Sequence, residues 1–234
     1  MGDEGAYLWP AAVDAAVALL GALGIQPVRV GVGRSSGYLA SSLGFPGVAS
    51  DLARANLDDI RAAGASRVIA LSPGDVFTFN QLWRERLGIE WPADLHLVEL
   101  ITLLADGLGA GEIGFDRAED HRPYAPVDPT HAIRVETRHD APRRLVEAVM
   151  PGPRVELLWR RERAHPVGST ALQFTQPGIA EKLTRARLED AQANGAEVVI
   201  TEDPGTLHHL SRHAGEYGIA VVGLYELLAE HLAG

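Results

Sequence analysis

The 234-residue sequence contains no cysteine. Disulfides, thiolate zinc sites, cysteine-held iron-sulfur clusters and thiol nucleophiles are excluded together, since each requires a Cys sulfur. The sequence also lacks an apolar run long enough to span a bilayer, which takes about 20 residues. Its acidic start, Met1-Gly2-Asp3-Glu4, has neither the basic flank nor the apolar stretch of a secretory signal, so a cytoplasmic location is expected. Positive charge is scarce: 21 Lys and Arg face 31 Asp and Glu, a formal charge of -10. That balance argues against recognition of nucleic acid through its phosphates. The one basic run, Arg160-Arg161-Glu162-Arg163, reads as a solvated edge.

What is present is ordinary for a globular chain: 46% hydrophobic and 22% charged residues, enough for a core and unlike a disordered or fibrous composition. Residues 12–23 repeat apolar positions at helical spacing and Gly24 ends that helix. A short strand is predicted over Val28–Val32, then a glycine-serine loop from Gly31 to Gly37. A helix is predicted from Ser50-Asp51 to Ala63 and a β-branched strand over Arg67–Leu71. A further helix follows over 73–87, a strand over Leu95–Leu97 and a helix over 98–106.

The second half replays this order. Shifted by 131, residues 54–74 fall on 185–205 with eleven identities, among them Arg54/Arg185, Leu57/Leu188, Asp59/Asp190, Gly64/Gly195, Pro73/Pro204 and Gly74/Gly205. At a shift of 124, Leu97-Val98, Leu100 and Leu103-Leu104-Ala105 meet Val221-Val222, Leu224 and Leu227-Leu228-Ala229. A slip of seven residues between the two matches is what a loop tolerates. Residues 107–127 are rich in Gly, Pro and acid. The expected organisation is a first unit at 1–108, a linker at 109–127 and a second unit at 128–234. Strands alternating with helices imply α/β architecture: two tandem Rossmann-like repeats, each a small parallel sheet flanked by helices.

Ligands of such sheets bind beyond the carboxyl ends of the strands. Three places qualify. Gly31-Val32-Gly33-Arg34-Ser35-Ser36-Gly37 is glycine-rich, but Pro46-Gly47 intervenes before the next helix, so a dinucleotide fingerprint is incomplete. Ser72-Pro73-Gly74-Asp75 and its counterpart Asp203-Pro204-Gly205-Thr206 place a capping side chain before a first-turn proline. Helix capping by Ser72 and Asp203 accounts for them without catalysis. The third place is Val127-Asp128-Pro129-Thr130-His131-Ala132-Ile133-Arg134, followed by Asp140-Ala141-Pro142-Arg143.

With these segments the chain resembles the cysteine-rich CCG-domain proteins, namely the CCG-bearing component of heterodisulfide reductase and the iron-sulfur subunits of glycolate oxidase and of the lactate-utilisation complex. The family carries two repeats of Gly-Cys, Cys-Cys-Gly and Cys-Pro-x-Cys elements, with His-Asp-Pro-Cys-His-x-x-Arg opening the second. The resemblance runs from Tyr7 to the C-terminus and is most specific at Asp-Pro-x-His-x-x-Arg and Asp-Ala-Pro-Arg. It maps the family's cluster cysteines onto Ala12, Ser35, Ser36, Ser72 and Asp75 in the first copy, and onto Thr130, Pro166, Val167, Asp203 and Thr206 in the second. Arg34, His131, Arg134 and His165 flank these positions.

None of the replacements is a soft ligand. The resemblance therefore implies the fold, no iron-sulfur cofactor, and partners such as a flavin dehydrogenase and a ferredoxin-like iron-sulfur subunit. It implies a cluster-less, non-redox accessory or scaffold subunit of an oxidoreductase complex. A competing class is a stand-alone protein that binds a small anion or carboxylate in the vacated pockets, with Arg34 and a helix N-terminus favouring an anion. His131, His165, His208, His209 and His213 beside Glu202-Asp203 would suit a metal, His209 and His213 being placed four apart on one predicted helix face. A hydrolase or lyase built on His131, His165 and Asp203 is a third class, without a recognisable catalytic motif.

Overall fold

A computed structural model describes residues 7–132 and 138–234 of the chain. The protein is a mixed α/β molecule with small parallel sheets flanked by helices. Its first half runs α1 (Pro10–Ala22), α2 (Tyr38–Ser42), α3 (Pro46–Ala62), β1 (Arg67–Ala70), α4 (Pro73–Phe77), β2 (His96–Glu99) and α5 (Leu100–Ala110). The second runs β3 (Tyr124–Pro126), α6 (Asp140–Val149), α7 (Leu172–Thr175), α8 (Pro177–Ala193), β4 (Val198–Thr201), α9 (Pro204–Ser211), β5 (Ala220–Gly223) and α10 (Leu224–Glu230). Strands β1 and β2 pair in parallel, and β3, β4 and β5 form a second parallel sheet with β4 central.

The two sheets correspond in register. Arg67 pairs with His96 and Ala70 with Glu99; adding 131 to the first member and 124 to the second gives Val198 with Ala220 and Thr201 with Gly223, which are also partners. The entry to each ladder repeats as well, with His96 N–H donating to Ser66 O and Ala220 N–H to Glu197 O, both at 2.8 Å. Gly64 and Gly195 follow the long helices α3 and α8 at φ +65° and +80°, the left-handed turn that glycine adopts without strain.

Core packing divides the sheet faces. Ile69 and Ile200 face a cluster shared by both halves, in which α1 (Leu19, Leu20), α5 (Leu100, Leu104), α6 (Leu145, Val149) and α10 (Leu224, Leu228) meet. Val68 packs instead against α3 and Trp83, and Val199 against Leu188 of α8 and Leu210 of α9. Alternation along each strand thus sends one face to the common core and one to its own helices. Because the common core draws on both halves, truncating a fully buried member such as Leu104 costs about 2–5 kcal/mol and weakens both.

Several expectations are corrected. The strand expected over Val28–Val32 is absent: Gly31 and Gly33 take φ +58° and +71°, Val28 and Val32 are exposed, and the segment belongs to neither sheet among the described residues. Tyr124–Pro126 lies in the stretch that composition marks as linker, yet it is the buried strand β3 beside β4; its Pro-containing sequence hid it. Helix α3 starts at Pro46, four residues before the expected Ser50, because Pro46 occupies its first turn. The helix predicted over 73–87 changes winding at Thr78, and Thr78–Leu87 continues as π-helix.

Candidate functional site

The carboxyl end of β1 leads into Ser72, whose Oγ accepts from Asp75 N–H at 3.1 Å at the start of α4. The end of β4 leads into Asp203, whose Oδ2 accepts from Thr206 N–H at 2.8 Å at the start of α9. Both are helix caps, as the sequence suggested, and each side-chain oxygen is committed to a backbone donor that would otherwise be orphaned.

These two strand ends open on one cleft of about 1100 Å³. Its polar end is lined by Ser35, Ser36, Ser72, Asp75, Thr130, His131, Ser169 and Asp203, and Ala12 and Arg34 also border it. Its other walls are apolar, formed by Val13 and Leu20 of α1, Val28 and Val30, and Val68 and Ile69 of β1.

His131 reaches from the second half into the first. Its ring stacks on Phe77 (centroids 5.1 Å) and meets the Tyr38 ring edge-on at 4.9 Å. A Cβ at Gly74 would lie 3.4 Å from His131 Nδ1 and 3.5 Å from Ser72 Oγ; one at Gly205 would lie 3.3 Å from Ser169 Oγ and 3.5 Å from Asp203 Oδ2. The two glycines therefore let a polar side chain close over each cap.

The serine loop is fixed from behind. Asn56 Nδ2 donates to Ser35 O and Trp83 Nε1 to Ser36 O, both at 2.9 Å, and Gly37 N–H reaches Ser35 Oγ at 3.3 Å. Gly37 has φ +90°, and a Cβ there would meet Ala49 O at 2.9 Å; Gly168 has φ +92°, and its Cβ would meet Ala180 O at 2.5 Å. Both loops thus press their backbone on a helix at a point where only glycine fits.

The sequence-derived residues fall into two groups. Ala12, Arg34, Ser35, Ser36, Ser72, Asp75, Thr130, His131 and Asp203 line the cleft, whereas His165, Pro166, Val167 and Thr206 do not. Val167 is core and Thr206 is buried, its Oγ without a partner among the described residues, and His165 Nδ1 lies 2.9 Å from Pro166 O. Arg134 lies outside the described residues. The second copy's set is packed shut, and the first copy's set faces space.

Arg34 is not a free cation for an anion. Its Nη1 donates to Asp59 Oδ2 at 2.6 Å and to Ala55 O at 2.9 Å. Nor do His209 and His213 share a helix face, because α9 ends at Ser211. His209 Nε2 lies 3.3 Å from Gln173 Oε1, and His213 Nδ1 lies 2.9 Å from Glu216 Oε1. Among the described residues no three His, Asp or Glu side chains converge as a metal site.

The segment most specific to the resemblance is a buried clamp. Arg143 grips Asp128 with Nη1 and Nη2 at 2.8 and 2.9 Å and reaches Glu156 with Nε at 3.0 Å, while Arg161 N–H donates to Asp128 Oδ2 at 2.7 Å. Burial works to raise the Asp128 pKa, but Arg143 and the Arg161 N–H outweigh it and hold the carboxyl below its ordinary value. Sequence reasoning missed Arg138 and Tyr225. Arg138 bonds Glu202 and Glu99 at the rear of the cleft, and Tyr225 OH donates to Leu71 O at 2.7 Å across the halves.

An iron-sulfur cluster does not fit these positions. Hydroxyls and carboxylates at Ser35, Ser36, Ser72, Thr130, Asp75 and Asp203 are hard donors, several already committed to backbone N–H groups, and Ala12, Pro166 and Val167 donate nothing.

No protein-family model matches the chain. Over 189 residues it is 27% identical to one component of the dihydromethanophenazine:CoB–CoM heterodisulfide reductase of Methanosarcina barkeri (strain Fusaro / DSM 804), a match covering 79% of this chain and 45% of that protein. The chain thus spans about half the length of that relative. Among solved structures, a glutamate racemase isoform of Bacillus anthracis is 12% identical with a TM-score of 0.36, covering 94% of this chain and 75% of that one. An aspartate racemase homologue of Pyrococcus horikoshii OT3 is 10% identical with a TM-score of 0.35, covering 93% and 92%. At these scores the structural likeness carries no conclusion about chemistry.

Proposed function

We propose that the chain is a duplicated, cluster-free relative of a heterodisulfide reductase component, and that it acts as a non-redox accessory or scaffold subunit of an oxidoreductase complex. The observation that carries this reading is the 27% identity to a heterodisulfide reductase component over 79% of the chain in a sequence with no cysteine. The clamp and the caps, Asp128, Arg143, Ser72 and Asp203, are in place, while thiolates are absent from every position that could hold a cluster. A framework without redox ligands fits a part whose work is contact with other subunits. Its partners would be a flavin dehydrogenase and a ferredoxin-like iron-sulfur subunit. Affinity purification of the tagged chain from its native source, followed by flavin and iron analysis of what copurifies, tests the reading. Recovery of a flavin or iron-sulfur oxidoreductase supports it; recovery of the chain alone, at native expression and low salt, overturns it.

A second reading is favoured by the cleft itself. Its polar end gathers Ser72, Thr130, His131 and Ser169, hydroxyl and imidazole groups suited to one small carboxylate or anion. Glycolate, lactate, oxalate and phosphate can be screened by thermal shift, since a ligand that binds only the folded chain raises its midpoint with concentration. A flat midpoint across all four removes this reading and leaves the first intact.

A further inference from the structure

The cleft runs alongside a strand that has only one neighbour. β4 lies between β3 and β5 and is buried along its whole length, whereas β1 pairs only with β2 among the described residues, and its Val68 and Ile69 are half-buried. A strand edge without a neighbour leaves backbone N–H and C=O groups seeking a partner. Here that edge faces the apolar part of the cleft, whose opposite wall is the segment carrying Val28 and Val30.

The second half shows what belongs there. Its order is residue 154, then β3, β4 and β5: Arg154 bridges Tyr124 in parallel and Tyr124–Pro126 pairs with β4. β3 is the last extended segment before the helix α6. In the first half the segment before the corresponding helix α1 ends at Trp9. It is wound as a helical turn at Tyr7 and Leu8 and carries these two large apolar side chains in solvent, at 77% and 52% exposure. The counterpart of residues 154–155 is the stretch around Val28, itself 73% exposed. One strand inserted between Val28–Val30 and β1 would complete the same four-strand order.

We propose that Tyr7–Trp9 unwinds and docks on the second edge of β1 as a parallel strand, closing the apolar part of the cleft and leaving only its polar end at Ser72 and His131 open. The inference rests on the duplication and is independent of the accessory role. Matching Ala12 to Thr130, which both border the cleft, sets Tyr7 opposite Ala125 and Leu8 opposite Pro126 in the comparison of halves. Since Ala125 pairs with Val199 and Pro126 with Ile200, the shift of 131 puts Tyr7 beside Val68 and Leu8 beside Ile69. Trp9 N–H would then donate to Ile69 O, as Val127 N–H donates to Ile200 O at 2.9 Å. Leu8 and Ile69 would share the face turned to the common core.

The absence of native cysteine makes the test clean, because an introduced pair supplies the sole thiols. Neighbouring strands lie about 4.8 Å apart, inside the roughly 4.4–6.8 Å span of Cα atoms that a disulfide accepts. The variant Leu8→Cys/Ile69→Cys is expected to form an intramolecular disulfide under mild oxidation, and the control Leu8→Cys/Val98→Cys, with its second thiol on β2, is expected to form none. Equal bridging in both, or in neither, overturns the proposal. A second measurement leaves the Leu8 and Ile69 side chains alone: amide exchange in β1 should be slow at alternate residues in the wild-type chain and on the order of tenfold faster or more in Tyr7→Pro, which removes a strand donor. Fast exchange in the wild-type chain also overturns it. β1 protected with no Leu8–Ile69 bridge would mean that some other segment fills the edge, so the strap would fail while the duplication stood.

Discussion

Arg138 closes on Glu202 with both terminal nitrogens, Nη1 to Oε1 at 2.8 Å and Nη2 to Oε2 at 2.7 Å, and donates its Nε to Glu99. Glu99 ends β2 and Glu202 follows β4, so one buried guanidinium ties the two sheets together behind the cleft. Burial opposes the charge on both partners: it works to lower the Arg138 pKa, which the two carboxylates nevertheless hold above its ordinary value, and it raises that of Glu202 despite Arg138. Removing one partner of such a pair leaves the other charged and desolvated. Arg138→Met is therefore expected to cost about 3–5 kcal/mol by chemical denaturation, and Arg138→Met with Glu202→Gln less than the single change. A single variant within about 0.5 kcal/mol of wild type would contradict this role.

The matched caps give a second expectation. Ser72→Ala and Asp203→Ala should each cost about 1 kcal/mol, while Ser72→Asp and Asp203→Ser, which keep an acceptor oxygen, should cost much less. Urea denaturation of the four variants compares them directly. If Ser72→Asp were as damaging as Ser72→Ala, the oxygen would be doing something other than capping.

Gly37 and Gly168 make a graded pair. Alanine at either adopts a left-handed φ at about 1–2 kcal/mol and meets a helix backbone oxygen. The closer approach at Gly168, 2.5 Å against 2.9 Å, predicts that Gly168→Ala lowers the melting temperature more than Gly37→Ala. The opposite order would show that the second-half loop yields more readily than its contacts suggest.

Glu226 supplies a pH signature. Its Oε1 is buried without a partner among the described residues, and desolvation raises its pKa. The folded chain therefore holds this proton more tightly than the unfolded chain, so its contribution is present in acid and is lost as pH rises above the ordinary glutamate value of 4.5. Glu226→Gln should stabilise the protein at pH 7, with the gain shrinking toward pH 4.5. Denaturation curves at the two pH values decide it, and an equal gain at both would rule the ionisation out as the cause.

His209 works in the other direction. Burial, with help from the neighbouring His208 and Arg212 charges, lowers its pKa below the ordinary 6.5. Folding then disfavours the proton, and stability falls as pH drops through 6.5. His209→Gln should flatten the stability profile between pH 7 and pH 5.5. A slope unchanged by the substitution would assign that pH dependence to another group.

Much of this protein was legible in its sequence for local reasons. A capping side chain before proline, Ser72-Pro73 or Asp203-Pro204, specifies a helix start wherever it occurs. Gly64 and Gly195 end helices because a left-handed turn needs no Cβ there, and the shifts of 131 and 124 reproduce the pairing register because identical spacing places equivalent residues on equivalent rungs. The missing cysteines were decisive by chemistry alone. Tertiary structure decided the rest. Tyr124-Ala125-Pro126 reads as linker until β4 lies beside it, and Val28–Val32 reads as strand although neither sheet takes it in. Asp128 and Arg143 look like site residues until burial makes them a clamp, and Arg34 looks like an anion receptor until Asp59 claims it. Which of two equivalent pockets stays open was also a tertiary outcome: Val167 and Thr206 are drawn into the core of the second half, whereas Ser35, Ser36 and Ser72 border space because β1 has a single neighbour. Pattern fixes what a segment can form by itself; pairing, burial and charge compensation depend on what the rest of the chain brings to it.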